Sequence, residues 1–379
     1  VSGPAALLDR VFADVGAEGL FDVHAHLVGL GAGGTGCRVN PSMRSFLHPV
    51  RRTVFSFLAR AAGVRDLDAA DADYVNRLRA LVAEFPVPRR TLLLAFDAFH
   101  RPDGAVCGRR TEFFVPNDFA LRLAKEHPDM FLPGVSVHPY RPDAVRELAR
   151  CRERGARFVK WLPNAQGMDP ADPACDPFYD ALRERCMVLL CHTGKERAVR
   201  ETAGEEPGNP LRLRRPLDRG VRVVMAHCAN LGRSRDLDRK GAPLAPSFDL
   251  LLRVLDDPRY RRLAFADISA ITLAERLPRP LATILDRPDL HDRLVDGSDY
   301  PIPGVRPALR LGPLVRHGFL ATEDARELAA LRPGNPLLFD YAVKRLLRHP
   351  RTGARFPARL FAPPAGLLDA LPAHAEGSS

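Results

Sequence analysis

The chain has 379 residues, 46% of them apolar and 27% charged, a balance that supplies a substantial core and excludes a disordered or collagen-like polymer. Its formal charge of +10 rests on lysines only at Lys125, Lys160, Lys195, Lys240 and Lys344 and on arginines spread along the whole chain, whereas a nucleic-acid binder gathers its charge into a patch or stripe. No run approaches the roughly 18 consecutive apolar residues of a membrane span, and Val1-Ser2-Gly3-Pro4 does not open a basic-then-apolar leader, so the expectation is a cytoplasmic protein without nucleic-acid or membrane partners.

In chain order, short apolar runs fall at residues 21–24, 91–96, 131–137, 157–161, 187–192, 221–227, 263–268 and 293–296. Several are almost wholly apolar, as strands buried on both faces of a parallel sheet are. Helical patterns separate them: 143–154 carries Val145, Leu148 and Ala149 on one face, and 176–185 carries Phe178 and Leu182. Eight strand–helix units predict an α/β fold, a (β/α)₈ TIM barrel, forming one domain over residues 1–349.

A long insertion, residues 29–90, follows the first strand. It opens with Gly-Leu-Gly-Ala-Gly-Gly-Thr-Gly and continues into two predicted helices, 50–62 and 70–85, placed to cover the barrel mouth as a lid. The glycine run has neither the lysine of a phosphate loop nor dinucleotide-binding spacing, so it is read as a hinge. After the eighth strand, residues 307–348 read as C-terminal helices. Residues 350–379, rich in Pro and Ala, read as an extended or partly disordered tail. The seven cysteines are scattered without a CxxC pair, which excludes a disulfide framework and a zinc knuckle and fits a reducing compartment.

Polar residues gather where the apolar runs end. His24 and His26 are two apart at the end of the first strand, so both project the same way, and imidazole is the commonest metal-binding side chain. Later strands end in Cys191-His192-Thr193-Gly194, Ala226-His227-Cys228 and Asp296-Gly297-Ser298-Asp299-Tyr300-Pro301. In a barrel the C-terminal strand ends surround one cavity. Lys160, ending the fourth strand, shares a face with Phe158 and not with Val159 or Trp161.

This set resembles the amidohydrolase superfamily, and its Gly-Ser-Asp-Tyr-Pro ending is similar to the amidohydrolase-related (amidohydrolase 2) branch. The resemblance covers nearly all of the barrel and leaves the insertion and the tail unexplained. It implies that His24, His26, His192 and Asp299 bind a divalent metal, with His227 a second ligand group in a binuclear site or an orienting group in a mononuclear one. It leaves Lys160 two roles: a carboxylated bridge between two ions, which a desolvated neutral amine makes chemically reasonable, or an unmodified amine paired with Asp299, Asp267 or a substrate carboxylate.

The implied cofactor is one or two divalent ions, zinc by default, with manganese or iron admitted by the same donors. The implied activity is hydrolysis of an amide, ester or lactone by metal-activated water, with Asp299 as ligand and general base. The alternative is nonoxidative decarboxylation of an aromatic or unsaturated acid. A third reading is a catalytically silent barrel that binds an anion through surface arginines.

Lys160, His138 and Lys195 are the substrate-binding candidates, for a small molecule of anionic character, and a homo-oligomer is compatible with the sequence. Asp97, His100, Arg109, Arg110, Arg141, Arg197 and the Asp267-Ile268-Ser269 strand end are read as wall or mouth residues. Asp22 is expected to serve as a shell hydrogen-bonding residue and Asp296 to face away. Cys191 and Cys228 are expected on the opposite strand face from the ligands.

Overall fold

The computed structural model describes residues 4–197, 199–201, 203–305 and 309–368. Its centre is a sheet of eight parallel strands: β1 (Leu20–His26), β2 (Arg89–Leu94), β3 (Phe131–Val135), β4 (Phe158–Trp161), β5 (Val188–Cys191), β6 (Arg222–Met225), β7 (Ala264–Asp267) and β8 (Leu294–Val295). Each pairs with the next in sequence. The seam between β8 and β1 is drawn together by three backbone bonds: Val23 N–H to the Asp296 carbonyl at 3.0 Å, His26 N–H to Tyr300 at 2.9 Å and Asp299 N–H to His24 at 2.6 Å. The result is a nearly closed (β/α)₈ barrel.

The strands are apolar on both faces because each has two apolar neighbours. Phe21, Leu92, Phe158, Leu190, Val224 and Phe265 fill the barrel interior, while Leu93, Val159, Trp161, Leu189 and Val223 pack outward against the helical layer. In β1 the register shifts between Asp22 and Ala25. Phe21 and Val23 face the interior before the shift; after it Ala25 and Leu27 join the outer core, and the inward positions pass to His24 and His26. Strict alternation would have left Asp22 on the histidines' face. It instead takes Arg89 at 2.8 Å and the N–H groups of His24 and Ser298 at 3.0 and 2.9 Å, a shell role.

The insertion holds α1 (Pro49–Ala61) and α2 (Ala70–Ala83). Asp71, in the first turn of α2, accepts from the N–H groups of Leu30 and Gly31 at 2.6 and 3.2 Å and from the Thr35 hydroxyl. The glycine run therefore wraps a carboxylate of its own chain, and Gly31 (φ 92°) and Gly34 (φ 75°) supply the left-handed turns this requires. Tyr74 of α2 also donates to the His26 carbonyl, tying the insertion to the end of β1. α1 buries no residue; its Val50 and the preceding Phe46 and Leu47 are largely exposed.

Outside the β8–β1 seam α3 (Pro336–Leu346) carries Lys344, buried between Asp340 at 2.6 Å and Asp296 at 3.0 Å. Asp296 thus faces away from the histidines. The segment read as an extended tail is packed over its described part: Phe356, Leu360 and Phe361 are buried in the outer core, and Leu367 joins the interior cluster with Phe21 and Phe265. Three apolar residues of a Pro- and Ala-rich stretch suffice to pin it to the outer core and a fourth, Leu367, reaches the barrel interior, which composition averages away. Residues 369–379 lie outside the described residues.

The sequence has a dense basic run at Arg212–Arg215. It spans the 3₁₀ turn Pro210–Leu213 and the start of the helix Arg214–Asp218, with Arg212, Arg214 and Arg215 paired to Asp169, Asp238 and Asp176. All seven cysteines are free. Among the described residues no helix is long and apolar enough to cross a membrane.

Candidate metal centre

The C-terminal ends of the strands bring six of the predicted residues together: His24 and His26 from β1, Lys160 from β4, and His192, His227 and Asp299 just beyond β5, β6 and β8. The rings of His24 and His26 are 5.0 Å apart, those of His24 and His227 4.9 Å, and those of His192 and His227 5.1 Å. Asp299 Oδ1 lies 3.2 Å from His26 Nε2 and 3.7 Å from His24 Nε2. His227 and Asp299 both adopt left-handed backbone, φ 57° and 56°, at roughly 1 kcal/mol or more each. The His227 N–H donates to Asp267 Oδ1 at 2.9 Å and the Asp299 N–H to the His24 carbonyl, which holds both sharp turns.

Three of the imidazoles have Nδ1 engaged from behind. Asp267 Oδ2 lies 2.9 Å from His24 Nδ1, Ser269 Oγ 2.7 Å from His227 Nδ1, and Glu196 Oε2 3.3 Å from His192 Nδ1. We assign Nδ1–H to His24 on this basis, so its lone pair is on Nε2. Nε2 of His192 is buried without a hydrogen-bond partner, which is costly for a polar atom unless something fills the position. Nitrogen and carboxylate donors with Nδ1 positions fixed and one Nε2 orphaned fit a divalent transition metal, and His24, His26 and Asp299 offer ligand atoms within 4.8 Å of one another.

Burial sets the protonation states. It holds His24 down at about 4, with the Lys160 ammonium adding to the effect, and holds His192 and His227 well below the usual imidazole value. All three are neutral and able to donate a lone pair. Burial also lowers Lys160 against the pull of Asp267 and Asp299. For Asp299 burial pushes upward, but His227, His26 and His24 outweigh it and keep the carboxyl below the ordinary carboxylate range. Asp267 is held low in the same way by His24 and His227.

Two predicted substrate residues are not brought to this centre. The His138 ring sits behind the wall, Nε2 against the Gln166 carbonyl at 3.1 Å and Nδ1 accepting from the Tyr140 N–H at 3.2 Å. Lys195 pairs with Glu205 at the surface. Gly194, at φ 83°, turns the chain so that Glu196 comes inward against His192. Glu196 carries no signal in the sequence, and Asp267 and Ser269, read there as wall residues with Asp267 also a possible partner of Lys160, instead hold the His24 and His227 rings; their i, i+2 spacing, the same as that of the two β1 histidines, is the available signal. Cys191 and Cys228 are buried, the first thiol pushed up to about 12 by burial and the second also raised, which suits neither to metal ligation.

Above the centre lies a cavity of about 510 Å³, lined by apolar residues of α1 and by Phe96, Leu162, Leu273 and Ile302; its polar members include His26, Lys160, His192, His227, Asp299 and Arg276, with Glu196, Arg197 and Glu275 also on its wall. Its size is that of a small-molecule site.

A sequence profile of the amidohydrolase family matches residues 21–337, the whole barrel from β1 to the first turn of α3. The chain belongs to the amidohydrolase family. Members of this family are enzymes. Among solved structures, the amidohydrolase-family chain is similar to an uncharacterised TIM-barrel protein of Bordetella bronchiseptica at 17% identity and a TM-score of 0.49, covering 74% of this chain and 86% of that one. It is similar to the 5-carboxyvanillate decarboxylase of Novosphingobium aromaticivorans, solved with bound manganese, at 14% identity and a TM-score of 0.47 (86% and 96% covered). It is also similar to the 4-oxalomesaconate hydratase of Rhodopseudomonas palustris at 14% and 0.45 (86% and 98%). No curated protein matches the sequence.

Proposed function

We propose that this amidohydrolase-family protein is a metal-dependent hydrolase acting on the carbonyl of an amide, ester or lactone. The observation that carries the reading is the gathering of four imidazoles and an ionised Asp299 at the cavity floor, with His24, His26 and Asp299 offering ligand atoms within 4.8 Å of one another and Nε2 of His192 buried and unpartnered beside them. His24, His26, His192 and Asp299 would hold the ion; zinc suits this donor set, and manganese or iron can occupy it. When bound, such an ion supplies Lewis acidity and lowers the pKa of water.

The chain's own groups do the rest. Asp299, ionised and only 8% exposed, accepts the proton of the attacking water and returns it to the leaving group. His227, held through Nδ1 by Ser269, orients water or the carbonyl oxygen with Nε2. Asp267 fixes the His24 ring, and the apolar walls keep bulk water from the reacting carbonyl.

The test is activity on a panel of amides, esters and lactones before and after chelation, with restoration by zinc or manganese. Activity that persists in metal-depleted protein contradicts the reading. A second reading, nonoxidative decarboxylation with Asp299 handling the proton at carbon, is favoured by one observation, the apolar lining of the cavity, which suits an aromatic acid. Carbon dioxide release from carboxylated substrates without bond hydrolysis would select it.

A further inference from the structure

Arg276, in the loop after β7, lines the cavity and is 7% exposed. Nη1 donates to the amide oxygen of Asn230 at 2.5 Å, and Nε is buried without a partner. Among the described residues no carboxylate pairs with the guanidinium. A lysine in this position could shed its proton, but arginine keeps its charge at any physiological pH. Burying a cation without a close counter-charge is destabilising, and a neutral amide does not supply one.

The other cations lining the cavity are accounted for: Arg197 pairs with Glu275 at the mouth, and Lys160 is bonded to His24. An ion at the histidines would add positive charge nearby. Asp299, Glu196 and Glu275 pull on the guanidinium from beyond ion-pair distance, its Nε is left open for a closer partner, and the planar fork of an arginine matches a carboxylate. Around it the walls are hydrocarbon: Val54, Phe57 and Leu58 from α1, with Phe96, Leu273 and Ile302.

We infer that Arg276 is the anchor for a substrate carboxylate, and that the substrate is a hydrophobic monocarboxylate whose apolar body lies under α1 while its reacting group reaches Asp299. This rests on the reading of the same cavity as the substrate site and adds the substrate class to it. The hydrocarbon walls around Arg276 favour an apolar body over a second charged group, and a neutral analogue leaves the guanidinium without a close partner.

The experiment is calorimetric titration of the metal-loaded protein and of Arg276→Gln with benzoate, 3-phenylpropanoate and octanoate, each beside its primary amide, and with phthalate. The expected result is saturable binding of at least one monocarboxylate that weakens about tenfold or more in the variant, with amides weak and indifferent to the substitution.

Thermal unfolding of the ligand-free proteins separates an anchor from a structural arginine: an anchor's removal leaves the melting temperature unchanged or raised, and a drop, or a variant that does not fold, overturns the inference. Monocarboxylates that bind both proteins equally, or bind neither at millimolar concentration, also overturn it. Elemental analysis of the same preparations keeps the two readings apart. No retained ion with Arg276-dependent binding intact removes the metal-dependent reading alone, whereas a retained ion with no Arg276 dependence removes the anchor alone.

Discussion

Lys160 Nζ lies 2.9 Å from Nε2 of His24, with both side chains buried at the centre of the site. Burial lowers the pKa of both, because two adjacent cations cannot be sustained there. Asp267 already occupies Nδ1 of His24, so the lysine sits on the lone pair an ion would use. A second possible donor group, His24, His227 and Asp267, is already hydrogen-bonded within itself. This arrangement favours a single ion with Lys160 as an unmodified amine that withdraws when the ion binds.

Lys160→Met is accordingly expected to retain its ion, with affinity equal to or several-fold above that of the native chain, and to lose activity by about 10–100-fold through loss of a positioned donor. Elemental analysis with competitive chelation checks it. Two ions in the native protein falling to fewer in the variant would instead establish a carboxylated-lysine bridge.

Asp267→Asn should weaken metal binding by about 10–100-fold without removing a ligand. The amide is a poorer acceptor for His24 Nδ1–H, and the two backbone N–H groups it now receives, from His227 and Ser269, lose a charged partner. Chelator competition at constant pH reads the change, and an affinity equal to that of the native protein would contradict the orienting role.

Acid should destabilise the metal-free protein well above the carboxylate range. Burial holds His24 at about 4 and His138 at about 3, whereas the unfolded chain titrates near 6.5. The unfolded state therefore takes up protons first as the pH falls. The stability these two groups contribute is fully present above about 6.5 and is lost progressively as the pH falls to about 4 for His24 and about 3 for His138, on the order of several kcal/mol together. Urea unfolding of chelated protein at pH 7 and pH 5 checks the sign; equal stability at both would contradict it.

Lys344 is a separate buried charge centre beneath β8. Its ammonium meets Asp340, Asp296 and the Gly297 carbonyl, and with two carboxylates to one cation, burial pushes Asp340 up to about 7. That raised value means Asp340 favours the fold at low pH and loses its contribution as the pH rises through about 7. Lys344→Met should cost about 3–5 kcal/mol at neutral pH by leaving the carboxylates without a cation, while Asp340→Asn should be close to neutral. Denaturant midpoints distinguish the two.

Much of this architecture is legible in the sequence because burial on both faces makes a strand such as Val188–Cys191 wholly apolar, so the change to His192 marks the strand end. The same contrast exposes His227 and Asp299. What is not legible depends on contacts between distant segments. The register shift in β1 turns Asp22 outward, and the turn at Gly194 exchanges Lys195 for Glu196 at the site. Leu367 reaches the barrel interior from a segment whose composition reads as tail. Arg276 is indistinguishable from the other arginines until its hydrogen-bond partner among the described residues, 46 residues away, is seen to be a neutral amide.

The most direct test of the metal centre is elemental analysis of the freshly purified native chain beside His192→Ala. The account predicts a stoichiometric divalent ion in the native protein and its loss from the variant, with the circular dichroism of the barrel unchanged. A native protein that is active without metal, or a variant that holds the ion as tightly, would contradict it.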